Sequence, residues 1–405
     1  MVAHHPPRVE PRAPPRGAAG EVLGAFMRLG LSSFGGPLAH LGYFRREFVV
    51  RRAWLSEAAF AELVAMCQLL PGPTSSQVGF LIGLGRAGAA GALAAWAGFT
   101  LPSVALLLAF AYEARALRLA GVSHALQLVA VAIVAQAVLG MARSLCPDTP
   151  RALIGLVALA LALTLHGAAG QFALLGAGAL LGVLLCRGLP SAAGGALAAA
   201  VPGPAVAAGA LALFALLLLA LPLAAHLTAA PALSQAAAFY RSGALVFGGG
   251  HVVLPLLRTA FVSSGWVSEP AFLAGYGAAQ ALPGPLFSFG AYLGAVASPG
   301  PGGIAGALIG TVAIFLPGLL LALGVRPFWQ ALTQRTLTRA ALLGVNAAVV
   351  GLLAAALYDP VWRGAVHSRT DALLALAGLT LLTLARAPPW SVVVALVTAA
   401  ALFGL

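Results

Sequence analysis

Long apolar runs, separated by short polar segments, follow one another along the sequence from about residue 20 to its end. Many of these runs approach the roughly 20 residues that a helix needs to cross the hydrocarbon core of a bilayer. They are rich in Ala and Leu and show no period-2 alternation, so we expect helices and not the strands of an outer-membrane barrel. The pattern therefore predicts an all-α polytopic membrane protein.

The apolar segments are of two kinds. Four of them, within residues 20–86 and 233–300, contain a paired Gly-Gly or a Pro-Gly-Pro break and are predicted to be broken or re-entrant helices. The other nine lack such a break and are predicted to be full spans, which gives about 13 apolar segments in all. These nine lie near residues 88–112, 119–143, 150–166, 171–187, 203–225, 304–324, 338–357, 371–386 and 390–405.

Composition excludes a soluble domain. Hydrophobic residues make up 61% of the chain and charged residues 8%, and the mean hydropathy is +0.99. The net charge of +12 would suggest nucleic acid in a soluble protein. Here the excess arginines lie between apolar spans, so we attribute them to orientation in the membrane and predict no nucleic-acid partner. Three scattered cysteines without CxxC spacing predict neither disulfides nor a metal site, and no cofactor is expected.

The first residues differ from the rest of the chain. Residues 1–20 are polar and Pro-rich, with three arginines and without the apolar core of a cleavable signal. We expect residues 1–19 to form a disordered cytoplasmic tail.

The chain contains one unit twice. Residues 54–73 (WLSEAAFAELVAMCQLLPGP) recur as residues 266–285 (WVSEPAFLAGYGAAQALPGP), with ten of twenty positions identical and no gap. Upstream, an Ala-Phe-x-Arg pattern followed by Phe-Gly-Gly occurs in both copies, and downstream Leu101-Pro102 returns as Leu316-Pro317. We therefore divide the chain into a first repeat (20–187), a linker with one span (188–232) and a second repeat (233–405).

The span near residues 203–225 has no counterpart in the repeat. Starting from a cytoplasmic N-terminus, it delivers the second copy to the opposite face, so the two copies are predicted to have inverted topology. The arginines agree with the positive-inside tendency, because fifteen fall on the inner face and five on the outer face. Arg326 is assigned to the inner face, after the span near residues 304–324.

The breaks in the helices indicate transport. Unpaired backbone groups cost several kcal/mol in hydrocarbon, so broken helices persist only where they line protein or a water-filled cavity. Two breaks in each of two oppositely oriented copies are typical of secondary transporters with a site near the midplane. The half-helix that begins at Thr74-Ser75-Ser76 after Pro73 has free N–H groups, hydroxyls and the positive end of its dipole, which favours an anion.

Polar residues near the breaks are candidates for binding this anion. Arg28 and Arg241 each lie six residues before a Phe-Gly-Gly break, and they either neutralise the anion or extend to the membrane surface. Gln68 and Gln280 precede the Pro-Gly-Pro breaks by one turn and could donate to an oxyanion or to freed carbonyls.

Two histidines and one carboxylate complete the candidates. His40 and His251 follow the Gly-Gly breaks and could donate to the anion, titrate or hold a structural hydrogen bond. Glu62 lies inside an apolar half-helix where the second copy has Ala274, and it is the candidate for proton coupling. The predicted substrate-binding residues are Arg28, Gly35, Gly36, His40, Gln68, Gly72, Thr74, Ser75, Arg241, Gly248, Gly249, His251, Gln280 and Gly284.

These motifs together resemble one family. The run FGGPLAHLGYFRREFVVRRAWL (34–55), CQLLPGP (67–73) with TSSQVGF (74–80), FGGGHVVLPLL (247–257) and QALPGP (280–285) resemble the chromate ion transporter family in its long two-domain form. The resemblance covers nearly the whole chain from about residue 20. It implies an inner-membrane protein that exports chromate and confers chromate resistance, with two oppositely oriented halves and the membrane potential or proton gradient as energy source. The family motif positions are Gly35, Gly36, His40, Pro71, Gly72, Gly248, Gly249, His251, Pro283 and Gly284.

Other functions stay open. Sulfate shares the shape and charge of chromate, so an importer or exchanger of sulfate or another oxyanion is the first alternative. An intramembrane enzyme is disfavoured because the sequence has no HExxH, GxSxG or paired intramembrane Asp. The expected partners are chromate or a similar oxyanion and the lipid bilayer, and a homo-oligomer is possible.

Overall fold

The computed structural model describes residues 17–34, 36–117, 120–165, 167–188, 202–247 and 252–403. These residues are helical or lie in short connections, and none of them forms a strand. The prediction of an all-α protein is therefore confirmed. The predicted tail and much of the predicted linker lie outside the described residues.

The first repeat contains seven helices. They are α1 (Ala19–Ser32), α2 (Gly36–Phe44), which continues as a π-helical turn (Arg45–Arg51), α3 (Glu57–Leu69), α4 (Thr74–Leu117), α5 (Ala120–Leu145), α6 (Thr149–Thr164) and α7 (Gly167–Leu185).

The odd helix α8 (Pro204–Thr228) leads into the second repeat. The helices that follow are α9 (Pro231–Ala244), α10 (Val253–Leu257), α11 (Glu269–Ala281), α12 (Phe289–Val296), α13 (Gly303–Val325), α14 (Trp329–Gln334), α15 (Thr336–Ala356), α16 (Arg363–Ala365), α17 (Arg369–Thr383) and α18 (Pro389–Phe403).

Several of these helices suit a membrane. Among the described residues, 5 helices are long and apolar enough to cross one, and shorter apolar helices accompany them. The five are Thr74–Glu113, His124–Leu145, Pro204–Thr228, Gly303–Phe328 and Thr336–Ala365. The predicted total of about 13 apolar segments stays a prediction.

Helix α4 consists of two helices that meet at a sharp bend. Ala87 and Gly88 have non-helical backbone angles, and Gly88 has φ +63°. A Cβ built on Gly83 would lie 2.3 Å from the carbonyl oxygen of Gly91, eight residues later, so the chain turns back on itself here. The second repeat makes the same close approach, since a Cβ on Gly294 would lie 2.0 Å from the carbonyl oxygen of Gly306. Both repeats thus form a tight helical hairpin in which glycine allows backbone-to-backbone contact.

The Trp-x-Ser-Glu motif begins a helix in both copies, as its sequence predicts. The hydroxyl of Ser56 accepts from the N–H of Ala59 at 3.2 Å, and that of Ser268 from Ala271 at 3.4 Å. The glutamate that follows is bonded by an arginine in both copies, because Arg45 pairs with Glu57 and Arg258 with Glu269.

Aromatic stacks support these helix starts. Phe48 lies between Phe26 and Trp54, with ring centroids 4.7 and 4.9 Å away. In the second repeat, Phe261 lies between Phe239 and Trp266, tilted against Phe239 at 4.4 Å and edge-on to Trp266 at 5.5 Å. Aromatic pairs at such distances each add about 0.5–1.5 kcal/mol beyond their buried area. The repeat therefore preserves packing as well as sequence.

Candidate functional site

The two Pro-Gly-Pro breaks each bond to the other copy. The N–H of Gly72 donates to the carbonyl of Val246 at 2.6 Å, and the N–H of Gly284 donates to the carbonyl of Ser33 at 3.0 Å. Ser33 and Val246 each stand directly before a Phe-Gly-Gly sequence. We call this region, where the breaks of both copies meet, the junction.

Close packing at the junction also follows the repeat. A Cβ on Gly72 would lie 2.8 Å from the Cα of Gly318, and one on Gly284 would lie 2.8 Å from the hydroxyl of Ser103. Ser103 and Gly318 each follow a Leu-Pro pair. Gly72 and Gly284 have φ of +122° and +104°, which side chains rarely adopt, so glycine is needed for both reasons. The amide of Gln77 ties the copies together by donating to the carbonyl of Gly318 at 3.0 Å.

The hydroxyls at the start of α4 are buried, and two of them are engaged. Thr74 donates to the carbonyl of Cys67 at 3.4 Å, and the hydroxyl of Ser75 lies 3.3 Å from Nδ1 of His40. Both belong to the predicted set, and the structure brings Ser75 and His40 together. The third hydroxyl, of Ser76, is buried without a hydrogen-bond partner among the described residues.

Two further hydroxyls at the junction, those of Ser33 and Thr100, are also buried without a hydrogen-bond partner among the described residues. Neither residue was among the predicted binding residues. Both residues are 0% exposed. Each lies next to a motif that recurs in both copies, Ser33 before Phe34-Gly35 and Thr100 before Leu101-Pro102. Their positions beside these motifs are the sequence signal that could have identified them. Buried hydroxyls without partners are costly to the fold and available to a ligand.

The two predicted arginines differ in how far their side chains are exposed. Arg28 is exposed on α1. Arg241 is half-buried on α9 and lines an open cleft of about 470 Å³ together with His226, Ser234 and Trp266. Their role towards an anion stays a prediction.

The remaining predicted residues are distributed as follows. Gln68 is exposed, whereas Gln280 is buried and hydrogen-bonds Tyr276. Gly36 begins α2 with φ +78°. Four predicted residues lie outside the described part of the chain: Gly35, Gly248, Gly249 and His251.

Glu62 lies in α3, as expected. The structure also buries Arg326, which the sequence predicts to lie on the inner face after a span. Glu62 is 6% exposed and Arg326 is 3% exposed. The two charges interact electrostatically. Arg326 is buried because the chain continues past α13 through a tight 3₁₀ turn into α14 and does not leave the protein there.

Long apolar helices, tight helical hairpins and breaks paired between two copies define a multi-pass α-helical membrane protein. A family model described as "Chromate transporter" matches residues 20–183 and 233–405. The chain belongs to the chromate transporter family, as its motifs indicate.

Curated relatives agree with the family match. The chain is 30% identical to a chromate transport protein of Pseudomonas aeruginosa over 351 residues, which cover 85% of this chain and 82% of the relative. It is 28% identical to a probable chromate transport protein of Synechococcus elongatus, covering 87% of both chains. It is also 28% identical to a chromate transport protein of Cupriavidus metallidurans, covering 88% of this chain and 86% of the relative. No solved structure matches the chain.

Proposed function

We propose that this chain is a secondary transporter that exports chromate across the inner (plasma) membrane and so confers chromate resistance. Membership of the chromate transporter family and the names of its relatives support chromate as the substrate. The observation that carries the mechanism is the junction, where each Pro-Gly-Pro break is hydrogen-bonded to the other copy.

The junction suits a tetrahedral oxyanion. Helix α4 begins there with its free N–H groups and positive dipole end, which attract negative charge. The unpartnered hydroxyls of Ser33, Ser76 and Thr100 can donate hydrogen bonds to oxygen atoms. We therefore place the anion at the junction and retain His40, Gly72, Thr74, Ser75 and Gly284 as residues around it. We propose that four other residues contact the anion as it enters or leaves the junction: Arg28, Arg241, Gln68 and Gln280.

Inverted orientation of the two repeats is part of the proposal. Contacts in which residue i of one copy meets residue j of the other, and j meets i, are what a two-fold axis produces. The contacts of Gly72 with Val246 and of Gly284 with Ser33 follow this rule. With the single odd helix α8 between the repeats, such an axis would lie in the membrane plane and would alternate access between the two faces.

The membrane potential is a sufficient energy source for export. A charge that moves through 100 mV changes its free energy by about 2.3 kcal/mol, so a dianion leaving a negative interior gains roughly 4.6 kcal/mol. No coupled ion is needed for export in this scheme.

Sulfate is the competing substrate, since hydroxyl and N–H donors recognise the tetrahedral oxygens and not the central atom. An importer or exchanger of sulfate is therefore the alternative to chromate export.

The test is uptake of radiolabelled chromate and sulfate into inside-out and right-side-out vesicles at a clamped potential. We expect chromate uptake into inside-out vesicles when their interior is positive, no uptake when it is negative, and none in vesicles without the chain. Chromate uptake into right-side-out vesicles with a negative interior would overturn potential-driven export, and transport of sulfate alone would overturn chromate as the substrate.

A further inference from the structure

Two opposite charges are buried on one side of the junction, and no hydrogen bond joins them in the described part of the chain. Glu62 and Arg326 are 6% and 3% exposed and interact electrostatically. Neither carboxylate oxygen of Glu62 has a hydrogen-bond partner in the described ranges. A buried ion pair stabilises a fold only when its remaining hydrogen bonds are satisfied. The pair is therefore poorly explained as a structural salt bridge.

The helix geometry places both charges at the same distance from the junction. Gly72 contacts Gly318, and Arg326 lies eight residues beyond Gly318, which is about 12 Å along α13 at 1.5 Å per residue. Glu62 lies a comparable distance before Gly72 along α3. Five residues earlier on α3, Glu57 is exposed and paired with Arg45. The buried pair thus lies between an exposed charged face and the junction.

The repeat-related position on the other side of the junction has no such charges. The residues that correspond to Glu62 and Arg326 are Ala274 and Ala111, and both are buried. Alanines therefore satisfy the packing of the same fold at the repeat-related position. Since the fold does not require the charges, their presence on one side only points to a function in the passage of the substrate.

We propose that Arg326 is the cation that receives the oxyanion from the face bearing Arg45 and Glu57, and that Glu62 neutralises Arg326 until the anion arrives. When a dianion binds, an ionised Glu62 would leave three negative charges around one cation at low dielectric. Glu62 therefore takes up a proton from water on that face as the anion binds, and releases it when the anion leaves. This inference rests on the proposed function and adds a cation that binds the anion on its way to the junction, with a proton linked to that binding.

Apart from the exposed Arg46, the charges described below on the elements that pack against α3 have partners other than Glu62. Helix α3 packs against α4, the π-helical turn and α15. In the π-helical turn and just after it, Arg51 and Arg52 bond Glu47, and Arg86 of α4 bonds Glu21. Arg339 of α15 also interacts with another group of the protein. Within α3, Cys67 is the other titratable group in the field of Arg326.

The experiment is equilibrium binding of labelled sulfate and chromate to the purified full chain in lipid nanodiscs across the neutral pH range. Sulfate is included because it stays doubly charged, whereas chromate itself takes up a proton near neutrality. Linkage of one proton predicts that the Kd for sulfate rises about tenfold per pH unit where Glu62 is ionised in the empty protein.

Variants separate the two roles. Glu62→Gln mimics the protonated carboxyl and should bind sulfate tightly and independently of pH. Arg326→Gln should weaken binding at every pH by about 100-fold or more, and Arg326→Lys should recover part of it. The matched control is Glu57→Gln, which removes an exposed carboxylate from the same helix and should leave affinity and pH dependence unchanged.

Each outcome is decisive. If Glu62→Gln keeps the pH dependence of the wild type, or Arg326→Gln keeps its affinity, the inference is wrong while the proposed function stands. If the wild type binds neither anion at any pH, the proposed function fails as well. The double variant Glu62→Ala, Arg326→Ala reproduces the alanine pair of the repeat-related position, Ala274 and Ala111, and should fold, with weak binding that does not vary with pH. Wild-type pH dependence in that variant would equally overturn the inference.

Discussion

Unpartnered hydroxyls are the residue-level evidence for a ligand at the junction. Ser33, Ser76 and Thr100 are buried, and their hydroxyls lack hydrogen-bond partners among the residues that the structure describes. Each such group costs the fold about 1–3 kcal/mol. Alanine or valine would avoid this cost, so the hydroxyls are best explained by a bond that forms when the anion is bound.

Removing one of these hydroxyls should harm transport but not the fold. For Ser76→Ala or Thr100→Val we expect chromate transport to fall about tenfold, because one hydrogen bond to a charged ligand is worth about 1.5–3 kcal/mol. The thermal unfolding midpoint should stay equal or rise. Transport in vesicles and the unfolding midpoint of the purified variants measure the two effects.

Ser103→Ala is the control for these variants. Its hydroxyl is already bonded, to the carbonyl of Thr100 at 2.9 Å and to the hydroxyl of Ser288 at 2.6 Å. Its loss should therefore lower the unfolding midpoint. A parallel loss of stability in Ser76→Ala and Thr100→Val would contradict a ligand-binding role.

The ionisation of Glu47 makes the stability of the protein depend on pH. Burial alone would raise the pKa of Glu47, but hydrogen bonds from Arg52 and Arg51 outweigh burial, so its pKa lies below the ordinary value of 4.5. A depressed carboxyl pKa contributes stability above the pKa of the unfolded chain, and this stability is lost as pH falls through the folded pKa. Glu47→Gln should therefore destabilise the protein by about 1–3 kcal/mol at neutral pH and by much less once the pH falls below the folded pKa of Glu47, which itself lies below 4.5.

Thermal unfolding of the purified protein at neutral and acidic pH measures this difference. The control is Glu57→Gln, because the pair of Glu57 with Arg45 is exposed and should change stability little. A Glu47→Gln variant with the same deficit at both pH values would disprove the electrostatic explanation.

At the scale of helices and breaks, Gly72 joins the two copies. Gly72→Ala would place a Cβ 2.8 Å from backbone of Gly318 at a φ of +122°. Backbone contact leaves little room to relax, so we expect a loss of at least about 1–2 kcal/mol in stability and loss of transport. The unfolding midpoint and vesicle transport are the measurements.

Gly140→Ala provides the comparison within a helix. A Cβ on Gly140 meets nothing within 4 Å, and the residue lies inside α5, so alanine should be neutral or stabilising. If Gly72→Ala behaved like Gly140→Ala, the junction would not be the tight contact that we describe.

Helix positions could be predicted well from the sequence. The spans expected near 203–225 and 304–324 are Pro204–Thr228 and Gly303–Val325 in the structure. The apolar runs there are bounded by Pro and Gly residues that end a helix whatever its neighbours are. The break at Pro71-Gly72-Pro73 was predictable for the same reason, because proline and glycine act locally.

Pairing between distant elements could not be predicted in this way. Nothing local to Pro71-Gly72-Pro73 indicates that Gly72 bonds Val246 of the other copy. Arg326 follows an apolar span and precedes a proline, like an arginine in an inner loop, and only the path into α14 buries it beside Glu62. Burial of such a charge depends on the tertiary fold and not on the sequence around it.

At the scale of the whole molecule, the orientation of the repeats can be tested by chemical labelling. Val50 and Ser264 are exposed near the ends of corresponding segments, and Cys67 and Cys186 are buried. With inverted repeats, a membrane-impermeant thiol reagent should label Val50→Cys only from the cytoplasmic side and Ser264→Cys only from the outer side. Labelling of intact cells and of inside-out vesicles measures this.

The unmodified chain is the control for background from Cys146, which is half-buried. Labelling of both engineered positions from the same side would mean that the repeats are parallel. The two-fold axis that relates the contacts at the junction would then run along the membrane normal and not in the membrane plane.

Helix α8 is a single apolar crossing between two copies of one unit, and much of its length lies outside the packed core. The number of crossings between the two copies matters more than the sequence of α8. In the proposed topology one such crossing inverts the second copy relative to the first, whereas with none or two crossings both copies would have the same orientation in the membrane. Deleting this helix should therefore abolish transport by removing the inversion, and a foreign apolar helix of equal length should restore it.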